Sequence, residues 1–257
     1  MALTNKTIAS SYGDILQVDN SGSGRTANGT VVKDGLGQST ALTLGENKTH
    51  IKPTTDATNT FVVETPDGTD LLKVDTRNSL IMAGTTQSYV NTQVQKFYMG
   101  SVNVTAGTHT ALVAEYNVSA ASLITFGTGT DPATTYSLAS SEAISGSFVH
   151  VIWYVPVNIT IDEIRAIASG DSGNVDFHLF SYDMASGTGS GAGDLTSGTL
   201  LAHSGSSLVI EDDRVTTQTL TIDSANVAGN KVVVATVERD SGNTDVSAQL
   251  IVKYHYQ

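Results

Sequence analysis

The chain of 257 residues has no cysteine, and its 13 lysines and arginines face 25 aspartates and glutamates. The absence of cysteine excludes disulfides, thiolate chemistry and zinc sites with cysteine ligands. The net charge of −12 argues against nucleic-acid binding, which needs a basic surface for phosphates. No apolar run reaches the roughly 18 residues of a membrane-spanning helix, and the N-terminal MALTNKTIASSYGD lacks the apolar core of a secretory signal.

Small and β-branched residues are abundant instead. Threonine, serine and glycine number 35, 27 and 24, about a third of the chain. Short runs of Thr, Val, Ile and Tyr are bounded by Gly, Asn, Asp and Ser, a pattern typical of strands joined by turns. The sequence therefore predicts an all-β fold: an extended N-terminal β region, then a C-terminal antiparallel β-sandwich of jelly-roll type.

Residues 1–84 are poor in apolar side chains. Candidate strands recur about every ten residues, and each offers two or three apolar residues. Pro66-Asp67-Gly68 predicts a hairpin over residues 60–75. One chain with so few apolar residues cannot bury a large core alone. We therefore expect this region to share its core among three copies in a homotrimer.

Residues 85–100 show a different spacing. Val90, Val94 and Tyr98 recur every four residues, which favours one face of a short amphipathic helix. In a trimer these three side chains would form a helical neck. A Thr- and Gln-rich extended linker is the alternative.

Residues 101–257 carry enough regularly spaced strands for one β-sandwich, the expected tip domain. Alternation in 147–155 predicts a strand with the alternate residues Val149, Val151, Trp153 and Val155 on one face. The apolar phase of 157–168 slips at Asp162-Glu163, which predicts a β-bulge. In 246–256, alternate residues from Val246 to Tyr254 are expected to point inward, whereas Gln249, Lys253 and His255 point outward.

No motif predicts catalysis, a cofactor or a metal, so we expect a protein that is not an enzyme. Gly170-Asp171-Ser172-Gly173 has ordinary turn composition, and no partner histidine can be assigned to its serine. Asp176 and His178 share one strand face, an arrangement more typical of a hydrogen bond than of a metal site. Glu211-Asp212-Asp213 is interpreted as a solvated loop, with a structural Ca²⁺ site as the alternative.

Four residues are candidate contacts of the tip. Tyr154 follows Trp153 on a strand, so the two rings point to opposite faces and one of them can be exposed. Asp194 lies in the Gly-, Ser- and Thr-rich loop 185–198, whose length suits a contact surface. Asp212 and Asp213 lie in a second loop.

The N-terminal segments Thr7–Asn20 and Val32–Gly37 resemble the start of small fibre-like virion proteins of tailed phages, marine ones in particular. The hairpin Phe61–Gly68 and the following Leu72–Asp75 resemble the same family. The resemblance covers about the first 100 residues, and 147–257 is loosely similar to a jelly-roll tip domain.

The resemblance implies a structural virion protein, a homotrimer assembled in the host cytoplasm and exposed on the virion surface. Its N-terminus would bind phage capsid or tail proteins, and neither nucleic-acid binding nor membrane insertion is expected. The expected anchor residues are Ile8, Tyr12, Ile15, Leu16 and Val18. The short region before the tip favours a short fibre, a spike or a head decoration protein.

A tail-fibre tip that binds a host receptor or glycan is the alternative function. A polysaccharide-degrading tailspike ranks last, because aromatic residues make up only 6% of the chain. Such an enzyme would need paired carboxylates in an aromatic-lined cleft.

Overall fold

A computed structural model describes residues 16–18, 25–84, 88–114, 124–128, 145–186 and 193–257. The chain divides into two units, residues 1–90 and residues 91–257. The all-β prediction is confirmed, because the described residues are mainly antiparallel strands and contain a single helix of seven residues. Within these ranges, no helix is long and apolar enough to span a bilayer.

The first unit consists of two four-stranded antiparallel sheets. The first sheet contains β1 (Gln17–Val18), β2 (Thr30–Lys33), β3 (Ser39–Leu44) and β4 (Thr49–Ile51). The second contains β5 (Phe61–Glu64), β6 (Asp70–Asp75), β7 (Leu80–Ala83) and β8 (Ser88–Tyr89). In both sheets each strand pairs with the next one along the chain, so both are simple meanders.

The hairpin predicted over residues 60–75 is present as β5 and β6. The Thr65 amide donates to the Thr69 carbonyl at 2.9 Å, and the Gly68 amide donates to the Thr65 carbonyl at 3.0 Å. Gly68 has a φ of 85°, which side chains with a Cβ rarely adopt. The glycine that follows Asp67 therefore allows the turn to close without strain.

The second unit contains the longest of the described strands and the described helix. Its elements are β9 (Thr92–Thr105), β10 (Thr108–Ala111), β11 (Thr125–Thr128), α1 (Ser145–Val151), β12 (Ile152–Val155), β13 (Ile159–Gly170), β14 (Gly173–Met184), β15 (Leu195–His203), β16 (Leu208–Ile210), β17 (Thr216–Thr219), β18 (Thr221–Ile222), β19 (Asn226–Val227), β20 (Lys231–Arg239) and β21 (Asn243–Tyr256).

Eight of these strands have the order of a jelly roll. The smaller sheet runs β17-β13-β21-β9, and the larger sheet contains β10-β20-β14-β15. Counted one to eight along the chain, these strands give the orders 6-3-8-1 and 2-7-4-5. Two four-stranded sheets connected in this way form the double Greek key of a jelly roll. The short strands β11, β12, β16, β18 and β19 add to its edges and ends.

The fine structure of β13 and β21 follows the sequence pattern. The register between them shifts between Ile161 and Glu163, at the predicted bulge. The alternate residues of β21 from Val246 to Tyr254 are buried, as expected. His255 was predicted to point outward, but its side chain is buried. Its Nδ1 lies 2.8 Å from Oδ1 of Asp162 in the bulge.

The predicted helical neck is wrong, because Thr92–Thr105 is a strand. Val94 lies opposite Lys253 and Tyr98 opposite Gln249 in β21, and Val90 is an exposed turn residue before β9. A spacing of four residues fits one strand face as well as one helical face, so it could not distinguish them. The second unit therefore begins at residue 91 rather than 101.

The strand predicted over 147–155 is only partly correct. Residues Ser145–Val151 form α1, and the strand is limited to Ile152–Val155. Phe148 and Val151 are buried at a helical spacing of three, whereas Val149 is exposed. The outer face of the larger sheet supplies the apolar surface that stabilises this short helix in spite of its β-branched residues.

The second unit contains two apolar cores. The main core lies between the two sheets and includes Phe97, Ile164, Phe177 and Leu250. A smaller core covers part of the outer face of the larger sheet, where Phe148 and Phe126 pack near Phe180 and Tyr182. The larger sheet is thus buried on both faces over part of its area.

The strand assignment of β9 makes a stability prediction. Phe97→Ala should lower the free energy of unfolding by about 3–5 kcal/mol, because the ring is fully buried. Val94→Ala should change it by less than about 0.5 kcal/mol, because Val94 is 53% exposed. Urea unfolding followed by the fluorescence of Trp153, whose ring centroid lies 6.5 Å from that of Phe97, measures both. A larger effect of Val94→Ala would favour a buried neck.

Candidate functional site

Both sheets of the first unit carry rows of apolar side chains on a shared face. Residues directly opposite one another in antiparallel strands lie on the same face. In the second sheet, Phe61, Val74 and Ile81 form one such row, and Val63, Leu72 and Ala83 form the next. In the first sheet, Val18 lies opposite Val32, and Leu42 lies opposite Ile51.

These two surfaces are named the first apolar face (Val18, Val32, Leu42, Leu44, Ile51) and the second apolar face (Phe61, Val63, Leu72, Val74, Ile81, Ala83). Both are partly exposed in the described residues, although Val32 itself is buried. Phe61, Val63 and Ile81 are 38%, 42% and 50% exposed, and Val32 is the only buried apolar side chain among the described residues of this unit. The opposite face of the second sheet carries Lys73 and Asp75 together with the apolar Val62, Leu80 and Met82.

The second unit has two ends of different character. We call the end at which β9 begins and β21 ends, where Thr92 lies opposite His255, the proximal end. The other end, which we call the distal end, carries the turns 106–107, 171–172, 211–214 and 240–242. Strands run the length of the sandwich, so successive connections alternate between the two ends.

Carboxylates concentrate at the distal end. The exposed ones are Asp171, Asp212, Asp213, Asp240 and Asp245. The nearby arginines do not neutralise this surface. Arg214 lies 3.0 Å from Glu211, and Arg239 is buried and donates to the Ser172 and Ser241 carbonyls at 3.2 Å each. The distal end is therefore an acidic surface on a rigid scaffold.

Two Asp-Ser-Gly-Asn sequences, at 171–174 and 240–243, form neighbouring turns of this end. The side-chain amide of Asn174 donates to Asp240 Oδ2 at 3.1 Å, and the Asp171 amide donates to the Asp245 carbonyl at 3.2 Å. The Arg239 guanidinium joins the two turns through its carbonyl contacts. A Cβ at position 173 would overlap this guanidinium, which explains the glycine there.

A tight turn holds two of the exposed carboxylates. Glu211 and Arg214 form an isolated β-bridge and an ion pair. Asp213 lies between them with a φ of 62°, in the left-handed region that aspartate tolerates better than most residues. Asp212 and Asp213 are consequently presented to solvent in a fixed position.

A histidine cluster (His109, His178, Asp176, Glu238) lies on the outer face of the larger sheet, next to the distal end. His109 Nε2 is 3.1 Å from Glu238 Oε2, and its Nδ1 is 3.2 Å from Thr236 Oγ1. The His109 and His178 rings are 4.6 Å apart between centroids. Ser207 donates to Asp176 Oδ2 at 3.0 Å. The buried His178 Nδ1 has no hydrogen-bond partner among the described residues.

Burial shifts the proton affinities of this cluster in opposite directions. It lowers the pKa of His178 to about 4, and the rings of His109 and His203 add to that shift. It raises the pKa of Asp176 to about 6, assisted by the carboxylates of Asp240 and Glu238 and opposed by the hydrogen bond from Ser207. His178 is therefore neutral and Asp176 ionised at pH 7.

The cluster can exchange protons in mild acid, but its geometry does not form a metal centre. In the ranges that the structure describes, no three histidine, aspartate or glutamate side chains are placed to hold a metal ion. Ser207 donates its proton to a carboxylate, and no described histidine contacts its oxygen.

The structure separates the four predicted tip contacts. Asp212 and Asp213 lie at the distal end, whereas Tyr154 and Asp194 lie at the proximal end, beside Lys231 and Leu195. The Tyr154 hydroxyl donates to Asn230 Oδ1 at 2.7 Å, and its ring is half exposed. One contact surface cannot include all four residues.

The predicted anchor lies partly outside the described residues. Ile8, Tyr12 and Ile15 are not among them. Leu16 is exposed, and Val18 belongs to the first apolar face. Of the predicted neck residues, Val94 and Tyr98 lie on the outer face of the smaller sheet in β9.

Sequence reasoning placed Asp176 and His178 on one face but did not find their partners. These partners come from three other strands. Counted from His178, His109 is 69 residues away, Glu238 is 60 and His203 is 25. The pairing of His178 with Thr236 and His203 depends on strand order and register. No local signal in the sequence specifies either.

Comparison with known proteins finds solved viral structures at low sequence identity. No protein-family model and no curated protein matches this chain. A chain in the structure of infectious bursal disease virus, Gt strain, is 8% identical with a TM-score of 0.27, over 68% of this chain and 38% of that one. A chain in the structure of the Gx strain is also 8% identical, with a TM-score of 0.24, over 82% of this chain and 38% of that one. A chain in the structure of the empty head of turnip yellow mosaic virus is 8% identical, with a TM-score of 0.17, over 64% of this chain and 80% of that one.

This chain thus spans well under half the length of the two bursal disease virus chains that it matches. The TM-scores are low, and the jelly-roll assignment rests on the strand order of the chain itself.

The cluster predicts two opposing pH dependences. The folded-state pKa of Asp176 exceeds its ordinary value of 3.8, so its contribution to the free energy of unfolding grows as the pH falls from about 6 towards 4. Asp176→Asn should therefore stabilise the protein at pH 7.5, by on the order of 1 kcal/mol after allowance for solvent screening. The gain should vanish near pH 4, and thermal unfolding across this range measures it. A gain independent of pH would contradict the raised pKa.

His178 should act with the opposite sign. Its folded-state pKa lies below the ordinary 6.5, so its contribution to stability is complete above pH 6.5 and falls as the pH drops towards 4. His178→Leu should remove this acid penalty and flatten the loss of stability between pH 6.5 and 4. The slope of unfolding free energy against pH is the readout, because the substitution also changes packing at every pH.

Proposed function

We propose that this chain is a structural protein of a virus particle: a short trimeric fibre, spike or head decoration protein of a tailed phage. The N-terminal unit attaches it to capsid or tail proteins, and the β-sandwich projects from the virion surface. The proposal assigns the chain no catalytic role, no cofactor, no nucleic acid and no membrane insertion.

One observation supports the proposal: the described residues of the first unit leave much of their apolar surface exposed, including Phe61, Val63 and Ile81. Val32 is its only buried apolar side chain among the described residues. A soluble sheet with an apolar face must bury it against another layer. Such a unit is built for assembly, which fits a particle component better than a free enzyme or carrier.

The second unit supports the same function in a different way. It closes its own main core between two sheets, and its buried residues include Phe97, Ile164 and Leu250. A self-sufficient jelly roll can project from a particle without further support. The resemblance of residues 7–20 and 61–75 to phage fibre proteins agrees with this division of roles.

Host contact by the sandwich is a second candidate function, favoured by the distal end. Asp212 and Asp213 are exposed in a turn that the Glu211–Arg214 ion pair closes. Fixed carboxylates at the end away from the chain termini of this unit suit contact with a basic protein surface. Charge reversal at both positions would then weaken host adsorption and leave particle association unchanged.

Attachment through the N-terminus predicts the effect of two changes. Deletion of residues 1–15 leaves every described strand intact and should abolish association with particles that lack this protein. Leu16→Asp should weaken the association at least tenfold, because it places a charge on an exposed anchor residue.

Co-sedimentation of purified chain with such particles measures the binding. Leu36→Asp is the matched control, because Leu36 is 74% exposed in a turn of the same unit and outside the anchor. Wild-type binding by the deletion variant would show that the anchor lies elsewhere in the chain.

A further inference from the structure

Positive charge is scarce in the second unit and is unevenly placed. Residues 91–257 contain six lysines and arginines against sixteen aspartates and glutamates. Three of the six are engaged: Arg214 and Lys231 form ion pairs at 3.0 and 2.7 Å, and Arg239 is buried. The other three lie together on the outer face of the smaller sheet: Lys96, Arg165 and Lys253.

The strand register places these three cations in adjacent rows. Lys96 and Arg165 lie on either side of Ile251 in one row, and Lys253 lies beside Glu163 in the next row. Adjacent strands are about 4.8 Å apart, so the backbones of Lys96 and Arg165 are separated by about 10 Å. The outer face of β9, β21, β13 and β17 around these cations is named the basic sheet face.

The charges of the basic sheet face are only partly compensated. Arg165 Nη2 lies 3.1 Å from Glu163 Oε1, and the two side chains are 54% and 42% exposed. Lys96 is exposed and Lys253 is partly exposed, and neither forms an ion pair with a residue that the structure describes. The face thus keeps a net positive charge on a chain whose net charge is −12. This local reversal of charge favours an acidic ligand at the face.

Neutral hydrogen-bonding groups lie next to the cations. Tyr98, Gln249 and Thr217 belong to a third row of the same face, and Thr219 lies opposite Arg165. Hydroxyl and carboxamide groups can both donate and accept hydrogen bonds, and the tyrosine ring adds an apolar surface. Such groups suit a ligand that carries hydroxyls as well as negative charge.

The area of the basic sheet face argues against a folded protein as the ligand. Three strand spacings give a width of about 14 Å, and the stretch of β13 from Glu163 to Ser169 gives a length of about 20 Å. The face therefore measures about 300 Å², whereas a standard protein interface buries about 800 Å² on each partner. A few linked sugar units fit within this area.

We propose that the basic sheet face binds an acidic polysaccharide whose sugars carry carboxylate groups. Lys96, Arg165 and Lys253 contact the carboxylates, and the neighbouring hydroxyl and carboxamide side chains contact the sugar hydroxyls. Arg165 already holds the carboxylate of Glu163 in this geometry. The inference depends neither on the virion role nor on the acidic distal end, because it uses a different surface.

The test measures binding of the full chain to an end-labelled oligouronate prepared from alginate. Fluorescence anisotropy of the label is read at low ionic strength, where exposed charges are least screened. A neutral dextran oligomer of equal length is the uncharged probe, and poly-L-glutamate is the acidic polypeptide probe. Lys96→Glu changes the basic sheet face. Lys52→Glu is the matched control, because Lys52 is an exposed lysine of the first unit and its reversal alters the net charge equally.

We expect the wild type and Lys52→Glu to bind the oligouronate with equal affinity and to ignore the neutral dextran. Lys96→Glu should bind about tenfold more weakly, because it replaces an attraction with a repulsion at one position. Added salt should weaken the wild-type binding. Lys253→Gln, which removes a charge without reversing it, should have a smaller effect in the same direction. Unchanged emission of Trp153, the single tryptophan, shows that each variant keeps its sandwich folded.

Three results would overturn the inference: no binding of the oligouronate, equal binding of the neutral dextran, or equal weakening by Lys52→Glu. Tighter binding of poly-L-glutamate than of the oligouronate would also overturn it and assign the face to an acidic protein segment. None of these results bears on particle association, which co-sedimentation measures separately.

Discussion

Burial of apolar surface is distributed unequally along this chain, and the rest of the structure depends on that inequality. The jelly roll of residues 91–257 places one sheet against the other and buries its own core. The first unit forms two regular sheets but buries one apolar side chain, Val32, among its described residues. Since apolar burial is the dominant stabilising term in folding, the proposed function assigns assembly to the first unit and projection to the second.

The sandwich concentrates its exposed carboxylates at the distal end. The Arg239 guanidinium holds two Asp-Ser-Gly-Asn turns together, and the Glu211–Arg214 pair closes a third turn beside them. Carboxylates are therefore presented at fixed positions at the distal end. Behind them, burial keeps His178 neutral and raises the proton affinity of Asp176. These two effects act in opposite directions on stability between pH 4 and 6.

Local patterns predicted what depends on local physics. The bulge at Asp162, the 60–75 hairpin and the buried phase of β21 follow from side-chain alternation and turn chemistry. The four-residue spacing of Val90, Val94 and Tyr98 fits both a helix and a strand. Only the pairing of β9 with β21 distinguishes the two. α1 was missed because its stability comes from an apolar sheet face that no local pattern reveals. The histidine cluster and the separation of Tyr154 from Asp212 depend on strand order, which local alternation leaves open.

Amide hydrogen exchange on the full chain, measured at a series of protein concentrations, tests the central claim most directly. The account predicts that the amides of β5 to β7 are protected in the oligomer and lose protection on dilution, because the proposed trimer shares the core of this region among its copies. The amides of β20 and β21 should keep the same protection at every concentration. Protection of β5 to β7 that is independent of concentration, in a species with the mass of one chain, would contradict the account.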